Sequence, residues 1–145
     1  MSTTRVPKAL RTRVADQAGH RCGYCQTSES ITGQAMEVDH IVPEVLGGAT
    51  KEENLWLACS ACNDFKGDRV VGPDPLTGDV VALFHPRRQR WHEHFAWAEG
   101  GAQVVGVTPT GRVTVISLQL NRPLLVAARR AWIQVGWHPP AKTDY

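Results

Sequence analysis

The chain has 145 residues, of which 42% are hydrophobic and 21% charged, and a formal net charge of +2, values typical of one soluble globular domain. No apolar run approaches the ~18 residues that a membrane-spanning helix needs. The basic N-terminus lacks the apolar stretch of a secretory signal. These features argue against a membrane or secreted protein and predict a cytoplasmic one.

The charged residues divide the chain into three segments. Residues 1–25 carry five basic and one acidic residue, whereas residues 26–65 carry one basic and seven acidic residues. Residues 66–145 are again basic, with ten basic and six acidic residues. An acidic centre suits a divalent cation and basic flanks suit a polyanion, although solvated helix faces would produce the same pattern.

The first half of the chain is predicted to form a short β-hairpin between two helices. Residues 1–4 are expected to be disordered. The Thr50 to Glu53 spacing is that of a helix capping box, after which one short helical turn is expected. Hydrophobic periodicity and turn residues predict a helix over 7–18, a loop over 26–34, strands over 36–41 and 54–58, and a helix from residue 59 or 60.

The second half is predicted to form an α+β extension that begins after the Gly72-Pro73-Asp74-Pro75 stretch. The sequence therefore predicts a core over residues 1–72 and an extension over 73–145 that packs on it and is not an independent domain. The predicted elements of the extension are a strand over 80–84, a helix through Trp91, Phe95 and Ala98, strands over 104–107 and 113–116 joined by a loop with Gly111, and a helix over 123–135 capped by Asn121.

Four cysteines form two C-x2-C pairs, Cys22 with Cys25 and Cys59 with Cys62. Two such pairs supply the four thiolates of a tetrahedral zinc site, and a site with no open position stabilises rather than catalyses. A redox pair, two disulfides or unliganded thiols are the alternatives. In a reducing compartment this pattern favours structural zinc.

Asp39 and His40 lie between the cysteine pairs, and Asn63 directly follows the last cysteine. Asp39 and the amide oxygen of Asn63 are hard ligands that suit Mg²⁺, and a neutral imidazole is a good base for water. Lys66 lies one helical turn beyond Asn63 and is predicted to hold a phosphate. A surface Asp-His pair with Asn63 as a helix cap is the plain alternative.

Residues 22–67 resemble an HNH endonuclease of the ββα-metal (His-Me finger) type, in the subgroup with a four-cysteine zinc site. The matching text is C-x2-C, Val38-Asp-His-Ile-Val-Pro43, Gly47-Gly48, Asn54-Leu-x-Leu, and Cys59-x2-Cys-Asn63-x2-Lys66-Gly67. The extension also resembles one found in small bacterial HNH proteins, except that His85 precedes Pro86-Arg87 where Asn is usual.

The resemblance implies a role for each matched residue. His40 would be the general base, Asn54 would fix the loop between the strands and orient His40, and Asn63 would bind a catalytic Mg²⁺ or Mn²⁺ together with Asp39. The four cysteines would hold Zn²⁺. DNA would be the substrate, with RNA as an alternative, and the protein would act as a monomer or homodimer. A zinc-stapled nucleic-acid-binding module without turnover is the alternative function. The residues expected to contact the nucleic acid are Arg11, Arg13, Lys66 and Arg69.

Overall fold

A computed structural model describes residues 5–141, so the disorder expected for residues 1–4 lies outside the described part. The helices are α1 (Lys8–Gln17), α2 (Glu29–Thr32), α3 (Ser60–Lys66), α4 (Trp91–His94), α5 (Pro109–Ser117) and α6 (Pro123–Gln134). The strands are β1 (Glu37–His40), β2 (Leu55–Ala58), β3 (Val71–Pro73), β4 (Val80–Ala82), β5 (Phe95–Ala98) and β6 (Gln103–Gly106). The predicted α+β class is confirmed.

The contacts divide the described chain into two compact units. Unit 1 runs to Val70 and also includes His85–Arg88. Unit 2 consists of Val71–Phe84 and the residues from Gln89 onward. The predicted packing of the extension on the core, and its lack of independence, stay predictions.

Unit 1 contains the β1–β2 hairpin followed directly by α3, in the order ββα. The hairpin is antiparallel, and its register pairs Asp39 with Trp56 and His40 with Leu55. Val6 and Val14 pack with Leu55 in a small apolar cluster, because the buried stripe of α1 faces this hairpin. Asp39 and His40 are therefore carried by a strand whose position α1 fixes.

The loop between β1 and β2 is closed by a tight backbone approach at Gly48. A Cβ at this position would lie 1.7 Å from the carbonyl oxygen of Val42, so no other residue fits without a backbone shift. The Gly48 amide donates to the Pro43 carbonyl at 3.0 Å. These contacts fold the loop back on itself beside the end of β1.

Unit 2 contains two separate antiparallel hairpins, β3–β4 and β5–β6, and the helices α4, α5 and α6. Its interior is aromatic: the ring centroids of Phe84 and Phe95 are 5.2 Å apart, and those of Trp91 and Phe95 are 4.9 Å apart. The buried Asp74 carboxylate accepts two hydrogen bonds from Arg112, at 2.9 and 2.8 Å. None of the described helices is long and apolar enough to cross a membrane.

Two predictions in unit 2 are wrong. The predicted strand over 113–116 lies in α5, because Thr108 caps this helix by accepting from the Gly111 amide at 3.0 Å and Pro109 begins it. The predicted helix through Trp91 stops after one turn, and Phe95 begins β5. In both cases capping and strand pairing override the spacing of the apolar side chains.

Three smaller predictions are also wrong. The loop predicted over 26–34 contains α2, whose first turn Ser28 caps. The short helical turn expected after Thr50 is present as the 3-10 turn Glu52–Asn54, but Lys51 precedes it and Thr50 does not cap it. Asn121 does not cap α6, because its amide exchanges two hydrogen bonds of 2.8 Å with the backbone of Val104.

Candidate active site and metal centre

The four cysteines come together in unit 1. Their sulfur atoms all lie within 4.8 Å of one another, and the Cys25 and Cys59 sulfurs are 3.8 Å apart. A tetrahedron of thiolates with Zn–S bonds of ~2.3 Å has edges of about 3.8 Å. The donor set and its spacing therefore fit a zinc ion.

The turn that carries Cys22 and Cys25 is fixed against β2. The amide of Gly23 donates to the Leu57 carbonyl at 2.9 Å. A Cβ on Gly23 would lie 2.3 Å from the indole of Trp56, so the close approach requires glycine. Cys59 caps α3 and Cys62 lies in its first turn, which places the second cysteine pair.

Burial shapes the chemistry of these thiols. It raises the pKa of the Cys22 thiol well above its usual value, because a thiolate without a counter-charge is costly in an apolar interior. A divalent cation supplies that counter-charge and makes the thiolate form stable. The cluster is therefore suited to hold a metal and unsuited to remain as four ionised thiols.

A cavity of about 20 Å³ lies beside the end of β1. It brings together the three residues for which the sequence predicted chemistry, Asp39, His40 and Asn63. Room for one water molecule requires ~10–15 Å³, so this cavity is of that size. Its full lining is Val38, Asp39, His40, Pro43, Glu44, Asn63, Gly67 and Asp68.

Asp39 is buried and already engaged. Its carboxylate lies 3.2 Å from the Lys66 ammonium and accepts a hydrogen bond of 3.3 Å from the Tyr24 hydroxyl. Burial raises the pKa of Asp39, while Lys66 and Tyr24 act in the opposite direction by stabilising the carboxylate. A cation at Asp39 would share this carboxylate with Lys66.

Lys66 does not lie on the surface, where the sequence analysis placed it as a phosphate ligand. It is 2% exposed, and its ammonium also donates to the His40 carbonyl at 3.2 Å. Arg69, the other basic residue near this end of α3, donates to the carbonyls of Phe65 and Lys66. The assignment of Lys66 to a nucleic-acid surface is therefore corrected, because its charge neutralises Asp39.

The two ring nitrogens of His40 have different surroundings. Nε2 lies 2.8 Å from the Thr50 hydroxyl and 3.3 Å from a Glu44 carboxylate oxygen. Nδ1 is buried and has no hydrogen-bond partner among the described residues. The sequence does not predict either contact with His40. Thr50 is interpreted there as a helix cap, and Glu44 belongs to no recognised motif.

Asn54 and Asn63 are held by different partners. Asn54 accepts from the Val42 amide and donates to the carbonyls of Val42 and Ala49, each at 2.9 Å, so it ties both ends of the β1–β2 loop together. The Asn63 amide nitrogen donates to Glu37 at 3.1 Å. That bond engages the amide nitrogen, so the amide oxygen of Asn63 is the atom that would act as a ligand to a hard cation.

The predicted nucleic-acid contacts on α1 are exposed. Arg11 and Arg13 both lie on the solvent face of this helix, and Arg13 forms an ion pair with Glu52. A larger groove of about 700 Å³ opens beside His20 and Glu29, but it includes none of the predicted site residues.

One comparison with known proteins matches the segment that carries this site. The family model described as HNH endonuclease matches residues 22–69, a segment that contains all four cysteines and the Asp39, His40 and Asn63 cavity. No curated protein and no solved structure matched the chain.

Proposed function

We propose that this protein is a metal-dependent endonuclease that hydrolyses DNA phosphodiester bonds, because residues 22–69 match the family model described as HNH endonuclease. One observation carries the proposal. The three residues that would do the chemistry, Asp39, His40 and Asn63, line a single water-sized cavity although they are distributed over β1 and α3. The four-cysteine zinc site would then fix both ends of the segment that carries these three residues.

His40 is the general base in this mechanism. A water molecule beside the imidazole attacks the phosphorus atom while His40 takes one of its protons. The bond from phosphorus to the leaving sugar oxygen breaks, and that oxygen takes up a proton from solvent. Because Nε2 is engaged with Thr50, Nδ1 is the nitrogen that accepts the proton.

Asp39 and Asn63 would hold the catalytic cation, Mg²⁺ or Mn²⁺. Their oxygen donors fit a hard divalent ion, and Glu44 and Asp68 add negative charge to the same cavity. When bound, the cation stabilises the negative charge that develops on the phosphate and on the leaving oxygen. Glu37 holds the Asn63 amide nitrogen, so the oxygen of this amide is left for the cation.

The exposed guanidinium groups on α1 are proposed to hold the nucleic-acid backbone. Arg11 and Arg13 offer positive charge on a helix that packs against the β1–β2 hairpin. One active site cuts one strand, so a monomer would nick DNA and a homodimer would cut both strands. RNA is to be tested beside DNA, because backbone contacts of this kind do not distinguish the two.

A zinc-stapled binding module without turnover is the second candidate. One observation favours it: Asp39 is 6% exposed and is neutralised by Lys66, as expected for a structural ion pair. Such a module would bind nucleic acid through the same basic residues and leave the phosphodiester bonds intact.

A nicking assay separates the two candidates. Purified protein is incubated with supercoiled plasmid and Mg²⁺ or Mn²⁺, beside His40→Ala and the control His20→Ala, which makes the same change outside the cavity. We expect the wild type and His20→Ala to nick, and His40→Ala to be slower by about 10²–10⁴-fold. Binding without nicking by the wild type, or equal nicking by His40→Ala, would overturn the enzyme assignment.

A further inference from the structure

We infer that Glu44 and Thr50 position the general base, by holding His40 as the tautomer that carries its proton on Nε2 and its lone pair on Nδ1. The inference rests on the proposed function of His40 and adds two residues to it. Both are brought to the ring by the folded β1–β2 loop: Glu44 lies four residues after His40, and Thr50 lies ten residues after it.

The carboxylate of Glu44 provides the first argument. An ionised carboxylate only accepts hydrogen bonds. Its oxygen lies 3.3 Å from Nε2, so a lone pair on Nε2 would face a lone pair on Glu44. A proton on Nε2 turns this repulsion into an electrostatic attraction to Glu44, and the Thr50 oxygen at 2.8 Å accepts a hydrogen bond from the same proton.

The surroundings of Nδ1 agree with this assignment. Nδ1 has no hydrogen-bond partner among the described residues, so no acceptor there would hold a proton in place of Glu44 and Thr50. A lone pair on Nδ1 is the form that a general base needs. The contacts at Nε2 therefore select the tautomer, and none of the described contacts at Nδ1 opposes it.

Glu44 and Thr50 also act after His40 has accepted the proton of the attacking water. When Nδ1 accepts a proton, the imidazole becomes an imidazolium with donors on both nitrogens. Glu44 then lies next to a positive charge, and its carboxylate stabilises that charge in the way the aspartate of a Ser-His-Asp triad does. Glu44 and Thr50 touch neither the substrate nor the cation in this account, so they are positioning residues.

Nuclear magnetic resonance of the ring nitrogens reads the tautomer without any need for activity. Long-range ¹H–¹⁵N spectra of the zinc-loaded protein at about pH 8, where an ordinary imidazole is neutral, show which nitrogen of each histidine is protonated. The loss of one signal set in His40→Ala assigns His40 among the six histidines of the chain. We expect the Nε2-protonated form in the wild type and a mixture of tautomers in Glu44→Gln and Thr50→Val.

Rescue and a matched control separate positioning from general loss of structure. Thr50→Ser keeps the hydroxyl and should restore the wild-type tautomer, whereas Thr50→Val should not. Asp68→Asn removes a negative charge from the lining of the same cavity, and should leave the tautomer unchanged. In the nicking assay we expect kcat to fall by about 10–100-fold in Glu44→Gln and Thr50→Val, with KM nearly constant.

The outcomes for this inference and for the enzyme assignment are distinguishable. An Nδ1-protonated His40 in the wild type overturns the positioning inference, even if the protein cuts DNA. The expected tautomer in a protein that cuts no nucleic acid supports the positioning geometry and rejects the endonuclease. An unchanged tautomer and unchanged kcat in both Glu44→Gln and Thr50→Val would also reject the inference.

Discussion

Units 1 and 2 keep their folds in different ways. Unit 1 has a small apolar cluster of Val6, Val14 and Leu55, and its four cysteine sulfurs form a group suited to a metal ion. Unit 2 contains no cysteine and instead buries aromatic rings and the Asp74–Arg112 ion pair. The comparison teaches that the unit with the candidate active site has a cysteine cluster suited to a stabilising metal ion, while the other unit is held by side-chain packing.

Metal removal should produce the largest difference between the units. Structural zinc contributes on the order of 10 kcal/mol to folding in small domains, so chelation or Cys59→Ser should unfold most of unit 1. Hydrogen exchange followed by mass spectrometry should show a larger loss of protection in unit 1 peptides than in unit 2 peptides. Equal loss in both units would break the comparison and would favour the sequence-based prediction that residues 73–145 are not independent.

Lys66→Met tests whether the Asp39–Lys66 ion pair stabilises unit 1 in addition to the cysteine cluster. This change leaves the buried Asp39 carboxylate without its cation, and breaking a buried pair costs ~3–5 kcal/mol. The free energy of unfolding in urea should fall by that amount, whereas the exposed Lys51→Met should change little. If Lys66→Met is as stable as Lys51→Met, the ion pair has no structural role.

Gly111→Ala tests the packing of unit 2. A Cβ at Gly111 would lie 1.9 Å from the carbonyl oxygen of His94, so the α5 N-terminus must move away from α4. Such overpacking costs about 1–3 kcal/mol and should lower the melting temperature. Thr110→Ala, one residue earlier in the same turn, is the control. Equal melting temperatures of Gly111→Ala and this control would show that the backbone around His94 and Gly111 accommodates the added methyl group at little cost.

Asp74→Asn should have the smallest effect, and one that depends on pH. The Arg112 guanidinium holds the pKa of the Asp74 carboxyl well below its usual range. The pair therefore stabilises unit 2 above the ordinary carboxyl pKa of ~3.9, and this contribution is lost as the pH falls through the lowered value. The difference in melting temperature between wild type and Asp74→Asn should shrink as the pH is lowered from about 7 to about 2. The exposed Asp79→Asn serves as control, and a difference independent of pH would contradict the assignment.

Much of the fold follows from local sequence. The helix predicted over 7–18 is α1, and the one predicted over 123–135 is α6, because apolar periodicity and a nearby proline mark both. The strand predicted over 113–116 failed because its Val, Thr and Ile residues favour β structure in isolation, whereas the Thr108 cap starts a helix before them. Here a side-chain cap outweighs β propensity.

The site was predictable in part. The spacing of the cysteines indicates one cluster, since a C-x2-C turn brings two thiols together and the second pair has the same form. The contact of Thr50 with His40 could not be read from the sequence, because it depends on the fold of the β1–β2 loop around Gly48. The burial of Lys66 was missed for a related reason: a lysine on a helix face gives no sign of which carboxylate lies beneath it.

The size of the cavity at Asp39, His40 and Asn63 has a consequence for how the proposed endonuclease would distinguish its substrates. About 20 Å³ has no room for a nucleobase, so no base could leave its stack to enter; the space suits a single ion, water molecule or phosphate oxygen. We therefore expect a strand with an abasic nucleotide at the cut position to be cleaved as fast as an intact one in a gel assay. Any preference for one stretch of nucleic acid over another would then arise at surfaces outside the cavity, which would respond to the shape and bending of the backbone.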